Sequence, residues 1–149
     1  MSLLKVFPRT RRDARRRRAT ATVELAICFP LMFLLTIGTM DVCSMLFLKE
    51  TITMAAYEGA RRGMGRDRTN TDAANRVMEF LDERNVAYDE ANVVTFSSPD
   101  FDSANTLDNV TVTVTVPCSG NLIIPSAMFD DLTMTAAVTM RKEYKNLTP

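Results

Sequence analysis

The chain has 149 residues, 46% of them hydrophobic, with 18 basic and 18 acidic side chains and no histidine or tryptophan. That length suits one domain of ordinary size, and the missing histidine removes imidazole acid–base chemistry and histidine metal ligation. The three cysteines, Cys28, Cys43 and Cys118, form no CxxC pair, and their spacing fits neither a zinc site nor a disulfide framework.

The neutral charge balance hides an asymmetry. Residues 1–19 carry Lys5 and seven arginines against Asp13 alone, which leaves ten basic and seventeen acidic residues from Thr20 onward. Such a leader is either a phosphate-binding arm or a topology signal. Its junction with an apolar run favours the second, with Arg15, Arg16, Arg17 and Arg18 holding the amino end on the cytoplasmic side.

The run itself is Leu25 to Met40, sixteen residues without charge between Glu24 and Asp41. Secretory signals use roughly 7 to 15 apolar residues and a small-x-small cleavage site, whereas Asp-Val-Cys-Ser follows Met40 here. Residues 20–41 therefore read as a single-pass transmembrane helix, close to the length of about 20 residues that a bilayer requires. Two residues interrupt the pattern. Glu24 is an acid at the start of the helix, where either the headgroup level and the helix dipole accommodate it or a cationic partner awaits it. Pro30 cannot donate to the carbonyl of Ala26, so a kink or loosened turn is expected.

Beyond Asp41 no breaker appears before Gly63. Met45, Leu48, Ile52, Ala55, Gly59 and Gly63 recur at spacings of three and four, as on one face of a helix. Ala55, Ala56, Gly59, Ala60 and Gly63 make that face small, so another helix or a sheet can pack closely against it. The helix expected is about forty residues long, half in lipid and half outside, ending at Gly63 and Gly65.

The segment RRATATVELAICFPLMFLLTIGTMD, followed by TITMAAYEGARRG, resembles the amino-terminal signature of the TadE-like minor pilins, or pseudopilins, of the tight-adherence, type IV pilin-like system. The resemblance covers about a third of the chain. It implies that a prepilin peptidase removes the basic leader, residues 1–19, by cutting between Ala19 and Thr20, so that Glu24 becomes the fifth residue. Ala19 departs from the family's usual glycine. It further implies that the freed amine of Thr20 pairs with Glu24 of a neighbouring subunit, making Glu24 an assembly and registry residue. The partners implied are the peptidase, other pilins, pilus assembly proteins and the lipid bilayer.

The rest reads as an extracytoplasmic α+β domain, residues 42–149. Thr71 or Asp72 caps a second helix running to about Asn85, with Ala73, Val77, Phe80, Leu81 and Arg84 near one face and Ala74 and Met78 widening it. Val93 to Phe96 is a short strand. Residues 97–108 form a polar loop whose Asp100, Asp102, Asn105 and Asp108 miss the calcium-loop pattern at its sixth and twelfth positions, Asn105 and Thr111. Asn109 to Pro117, NVTVTVTVP, alternates strictly and turns Val110, Val112, Val114 and Val116 inward. Leu132 to Tyr144 is its antiparallel partner across a long loop. The sequons at Asn109 and Asn146 read as chance.

The fold expected is thus a long membrane-spanning helix packed by its outer half on a small antiparallel sheet, with one further short helix. The function expected is that of a minor pilin or pseudopilin in pilus assembly, adhesion and surface attachment, held in the inner membrane with its carboxyl-terminal domain outside. An unprocessed, single-pass envelope scaffold or receptor is the alternative. No constellation for catalysis, cofactor or metal binding, nucleic-acid binding or a small-molecule substrate stands out.

Overall fold

The computed structural model describes residues 11–122 and 132–144, with side chains from Thr20 onward. Helix α1 spans Arg11–Gly63 and α2 spans Asn70–Asp82. Three strands follow, β1 (Val94–Phe96), β2 (Asn109–Pro117) and β3 (Thr133–Arg141), in an antiparallel sheet of order β1-β2-β3. This is the α+β arrangement that the alternation and the helical spacing call for. By internal contacts the chain divides between Thr39 and Met40, within α1.

Three boundaries differ from expectation. Helix α1 already includes the leader from Arg11, the first described residue, because arginine and alanine are good helix formers and nothing between Arg11 and Thr20 breaks the run. Pro30 lies within the same helix. The cap of α2 is Thr69, two residues before the earlier candidate: its hydroxyl accepts from the Asp72 N–H, and the Asp72 carboxylate accepts from the Thr69 N–H in return. Such reciprocal pairing satisfies two otherwise orphaned donors. At its other end α2 stops at Asp82, and Asn85 adopts a left-handed φ of 52°. The Val86 N–H returns to the Leu81 carbonyl at 3.1 Å, closing the end as glycine or asparagine commonly does.

The sheet takes its register from the valine face of β2. Val110, Val112, Val114 and Val116 are fully buried and lie opposite Met140, Val138, Ala136 and Met134 of β3. A one-residue slip would turn the threonines inward, so the pairing is strongly specified. On the outer face Thr111 and Thr139 share a hydrogen bond of 2.7 Å, and Thr115 and Thr135 one of 3.3 Å. Strand β1 adds Val94 and Phe96 beside Val114 and Val112. The core is one cluster joining Leu48, Ile52 and the alanines of α1 to Val77, Phe80 and Leu81 of α2 and to the valines of β2.

Candidate assembly helix

Two segments of α1 carry the residues singled out from the sequence. In the first, up to Thr39, the described side chains are almost all exposed. Leu25, Ile27, Phe29, Leu31, Leu34 and Leu35 each show more than 60% of their surface. Such a display is unstable in water and suits lipid or neighbouring helices. One described helix of the chain is long and apolar enough to cross a membrane, with Thr20–Gly63 as its described span. The polar side chains of the apolar run are met internally: the Thr36 hydroxyl donates to the Met32 carbonyl and that of Thr39 to the Thr36 carbonyl, both at 2.8 Å. A hydroxyl satisfied within its own helix needs no water at membrane depth.

Glu24 and Pro30 are exposed on this part of the helix, as is Thr20. The side chains of Arg15, Arg16, Arg17, Arg18 and Ala19 lie outside the described residues, although their backbone is helical. The sequon at Asn146 also lies outside them.

The second segment is organised around absence of bulk. Ala55, Ala56 and Ala60 have no exposed surface, and Gly59 and Gly63 are buried with them. A Cβ on Gly59 would stand 2.3 Å from Val77 Cγ2 and 3.2 Å from the Ala73 carbonyl oxygen; one on Gly63 would stand 2.5 Å from the Phe101 ring. Gly59 therefore sets the approach of α2, and Gly63 accepts an aromatic ring. Asp41, which closes the apolar run, is 5% exposed and engaged in contacts of its own.

The ring against Gly63 comes from the polar loop, which is a packed element and not only a solvated connection. Phe101 is fully buried and meets Phe96 edge-on, with centroids 5.7 Å apart. Asn70 holds the loop to the start of α2: its amide nitrogen donates to Asp100 at 2.8 Å, and its oxygen accepts the Phe101 N–H at 3.0 Å. Ser103 donates to Asp100 through its hydroxyl and its N–H, and these bonds hold the Asp100 carboxyl below its ordinary range. Lys142 is fully buried and donates its ammonium to the Phe101 carbonyl, while the Leu107 N–H donates to the Lys142 carbonyl. A lone phenylalanine among acids and serines was the available signal for this anchor. Nothing in the alternating pattern marked Lys142.

Arginine pairing adds to the contact of α1 with α2. Arg76 reaches Glu58 of α1 at 3.9 Å and Glu79 of α2 at 2.9 Å, and Arg84 lies over the Phe80 ring, 3.6 Å from its centroid. Cys118 is buried, and burial pushes its thiol up in pKa, so it behaves as a small apolar core residue.

The geometry defines a class: a protein with one exposed apolar helix suited to a single-pass anchor, continuous in sequence with the core helix of an α+β domain. The family model of the TadE-like proteins matches residues 19–61, the stretch that holds Glu24, Pro30 and the alanines and glycine from Ala55 to Ala60. Neither the comparison with curated proteins nor that with solved structures yields a match.

Proposed function

We propose that this protein is a minor pilin or pseudopilin of a tight-adherence pilus, a structural subunit that acts in pilus assembly and surface attachment. The observation that carries the reading is the coincidence of the family match, residues 19–61, with a helix that changes from large exposed side chains to small buried ones along its length.

In this reading the arginine leader keeps the amino end in the cytoplasm and residues 20–41 span the cytoplasmic membrane. The α+β domain, residues 42–149, stands outside. A prepilin peptidase cuts between Ala19 and Thr20, and the new α-amino group, with an ordinary pKa of about 7.7 to 8.0, is largely cationic at neutral pH. It pairs with Glu24 of a neighbouring subunit as the helices gather, and this pairing offsets the cost of holding a carboxylate in lipid. The partners are then the peptidase, other pilins and the pilus assembly proteins, and the role is mechanical, without a catalytic step.

Replacing Glu24 tests the pairing. Glu24→Ala is expected to be inserted and cleaved normally yet to leave fewer pili, counted by electron microscopy and by sheared-fibre yield. Wild-type pilus output from that variant would remove Glu24 from the mechanism. The alanine at position 19, where the family usually has glycine, favours a second reading in which the leader stays and the protein serves as an anchored envelope scaffold.

A further inference from the structure

Two concave surfaces of the domain beyond Met40 carry opposite charge. The first, about 490 Å³, is lined by Arg61, Arg62, Arg66, Arg68 and Arg76 with Glu58 as its single acid. Internal pairing neutralises it only in part. Arg61 stands 3.8 Å from Glu58 and Arg66 4.0 Å from Asp67, each at the edge of pairing range, with the two arginine side chains 71% and 72% exposed. Arg68 pairs with Asp72 at 3.4 Å, and Arg76 is engaged by Glu58, Glu79 and Glu83. Arg62 is exposed, and its charge acts on Asp72 together with that of Arg68.

The second surface, about 570 Å³, is lined by Glu79, Asp82, Glu83 and Glu90 with Asn75, Met78 and Tyr88. Glu79 pairs with Arg76 at 2.9 Å and Glu83 lies 4.0 Å from Arg76 and 3.9 Å from Arg84, so its acidic character rests on Asp82 and Glu90. The Tyr88 hydroxyl donates to Asp82 at 2.9 Å. Its pKa is pushed up by burial first, and then by Asp82 and Glu90, as a negative field requires. The first surface is framed by the end of α1, the turn that follows it and Arg76, the second by α2 from Asn75 onward and the segment to Glu90, and the Arg76–Glu79 pair lies where they adjoin.

We infer that the arginine-lined concavity of one copy receives the acidic surface of a second copy of this chain. The occupant is argued from charge complementarity. The region from Thr20 onward has seventeen acids against ten bases, yet five of its arginines gather in one concavity, while Asp82 and Glu90 line the other beside the two acids that Arg76 already engages. Guanidinium forks match carboxylates in geometry as well as charge. Opposed patches steer docking and penalise like-charge approach. Because the patches differ, a copy that docks one keeps the other for a further copy unless a two-fold axis pairs both at once. The contact rests on the reading of this chain as an assembling subunit, but concerns the domain outside the membrane rather than the pairing at Thr20 and Glu24.

The test uses the full chain in detergent micelles, with self-association read by sedimentation and by energy transfer between labelled copies. Wild type is expected to associate, and raising salt from 50 to 500 mM to weaken that association about tenfold, since exposed charges are screened beyond a few ångströms at high salt. Arg62→Glu with Arg66→Glu, and separately Asp82→Arg with Glu90→Arg, are each expected to weaken self-association about tenfold or more through like-charge repulsion. Mixing the two variants restores association, because each supplies the patch the other lacks. Unchanged unfolding midpoints establish that both variants fold. Wild type that stays monomeric, variants that associate like wild type, or no recovery on mixing would each overturn the inference. Absence of cleavage at Ala19–Thr20 would remove the pilus reading and leave the mixing result standing.

Discussion

The two stretches of α1 on either side of Met40 are built to opposite rules. Between Leu25 and Leu35 most side chains are large and all are turned outward; between Ala55 and Gly63 the buried face has no side chain larger than a methyl group. The first region offers surface that only an apolar environment would cover. The second offers none, because its neighbours have already come within contact distance of its backbone. Helical periodicity alone does not separate these roles. Side-chain size along the helix does.

Four changes would break or sharpen that contrast. The largest effect is expected where the small face receives its heaviest neighbour: Phe101→Ala leaves a void against Gly63 and Phe96 and should cost about 3–5 kcal/mol, read by chemical denaturation in detergent. Next is glycine replacement on the two sides. Gly59→Ala drives a methyl group into Val77 and is expected to cost about 1–3 kcal/mol. Gly38→Ala meets nothing within 4 Å and should be neutral or slightly stabilising, since alanine is the better helix former by about 1 kcal/mol. Equal costs at the two glycines would erase the distinction between the halves.

A smaller loss, about 1 kcal/mol, is expected from Thr69→Ala, which removes the α2 cap; a thermal melt of the domain signal would show it. The smallest effect is a dependence on pH. The carboxyls of Asp100 and Asp72 are lowered, by bonds from the Ser103 hydroxyl and the Thr69 N–H first. Their contribution to stability is complete above the unfolded-state pKa of about 3.9 and is lost as pH falls through the lower folded value. Asp100→Asn should flatten the acid limb of the stability curve, and an unchanged limb would place the acid sensitivity elsewhere.

How much of this could be read from the chain follows from what each pattern encodes. The apolar run, the three-and-four spacing of Ile52, Ala55 and Gly59, and the alternation of β2 are periodic, and periodicity reports which face is covered. The inward valines and the partner strand followed from it. What stayed hidden depends on contacts distant in sequence. Thr69 is hard to single out as the cap because Thr71 and Asp72 offer the same local chemistry, and only the bonds made by Asp72 tell them apart. The loop 97–108 looked solvated because its acids outnumber its single aromatic, yet Asn70 and Lys142, 31 and 41 residues away from Phe101, fix it in place. The helical backbone of the leader from Arg11 is hidden because a run of arginines reads as an electrostatic signal before it reads as helix.

The pilin function requires residues 1–19 to be a removable leader and Thr20 to be the first residue of the working subunit. Intact mass and amino-terminal sequencing of the protein recovered from membranes of cells that possess a prepilin peptidase test this most directly. The account predicts a single species beginning at Thr20, with the leader present only when the peptidase is absent. An intact leader on the membrane-recovered protein in peptidase-containing cells would contradict it.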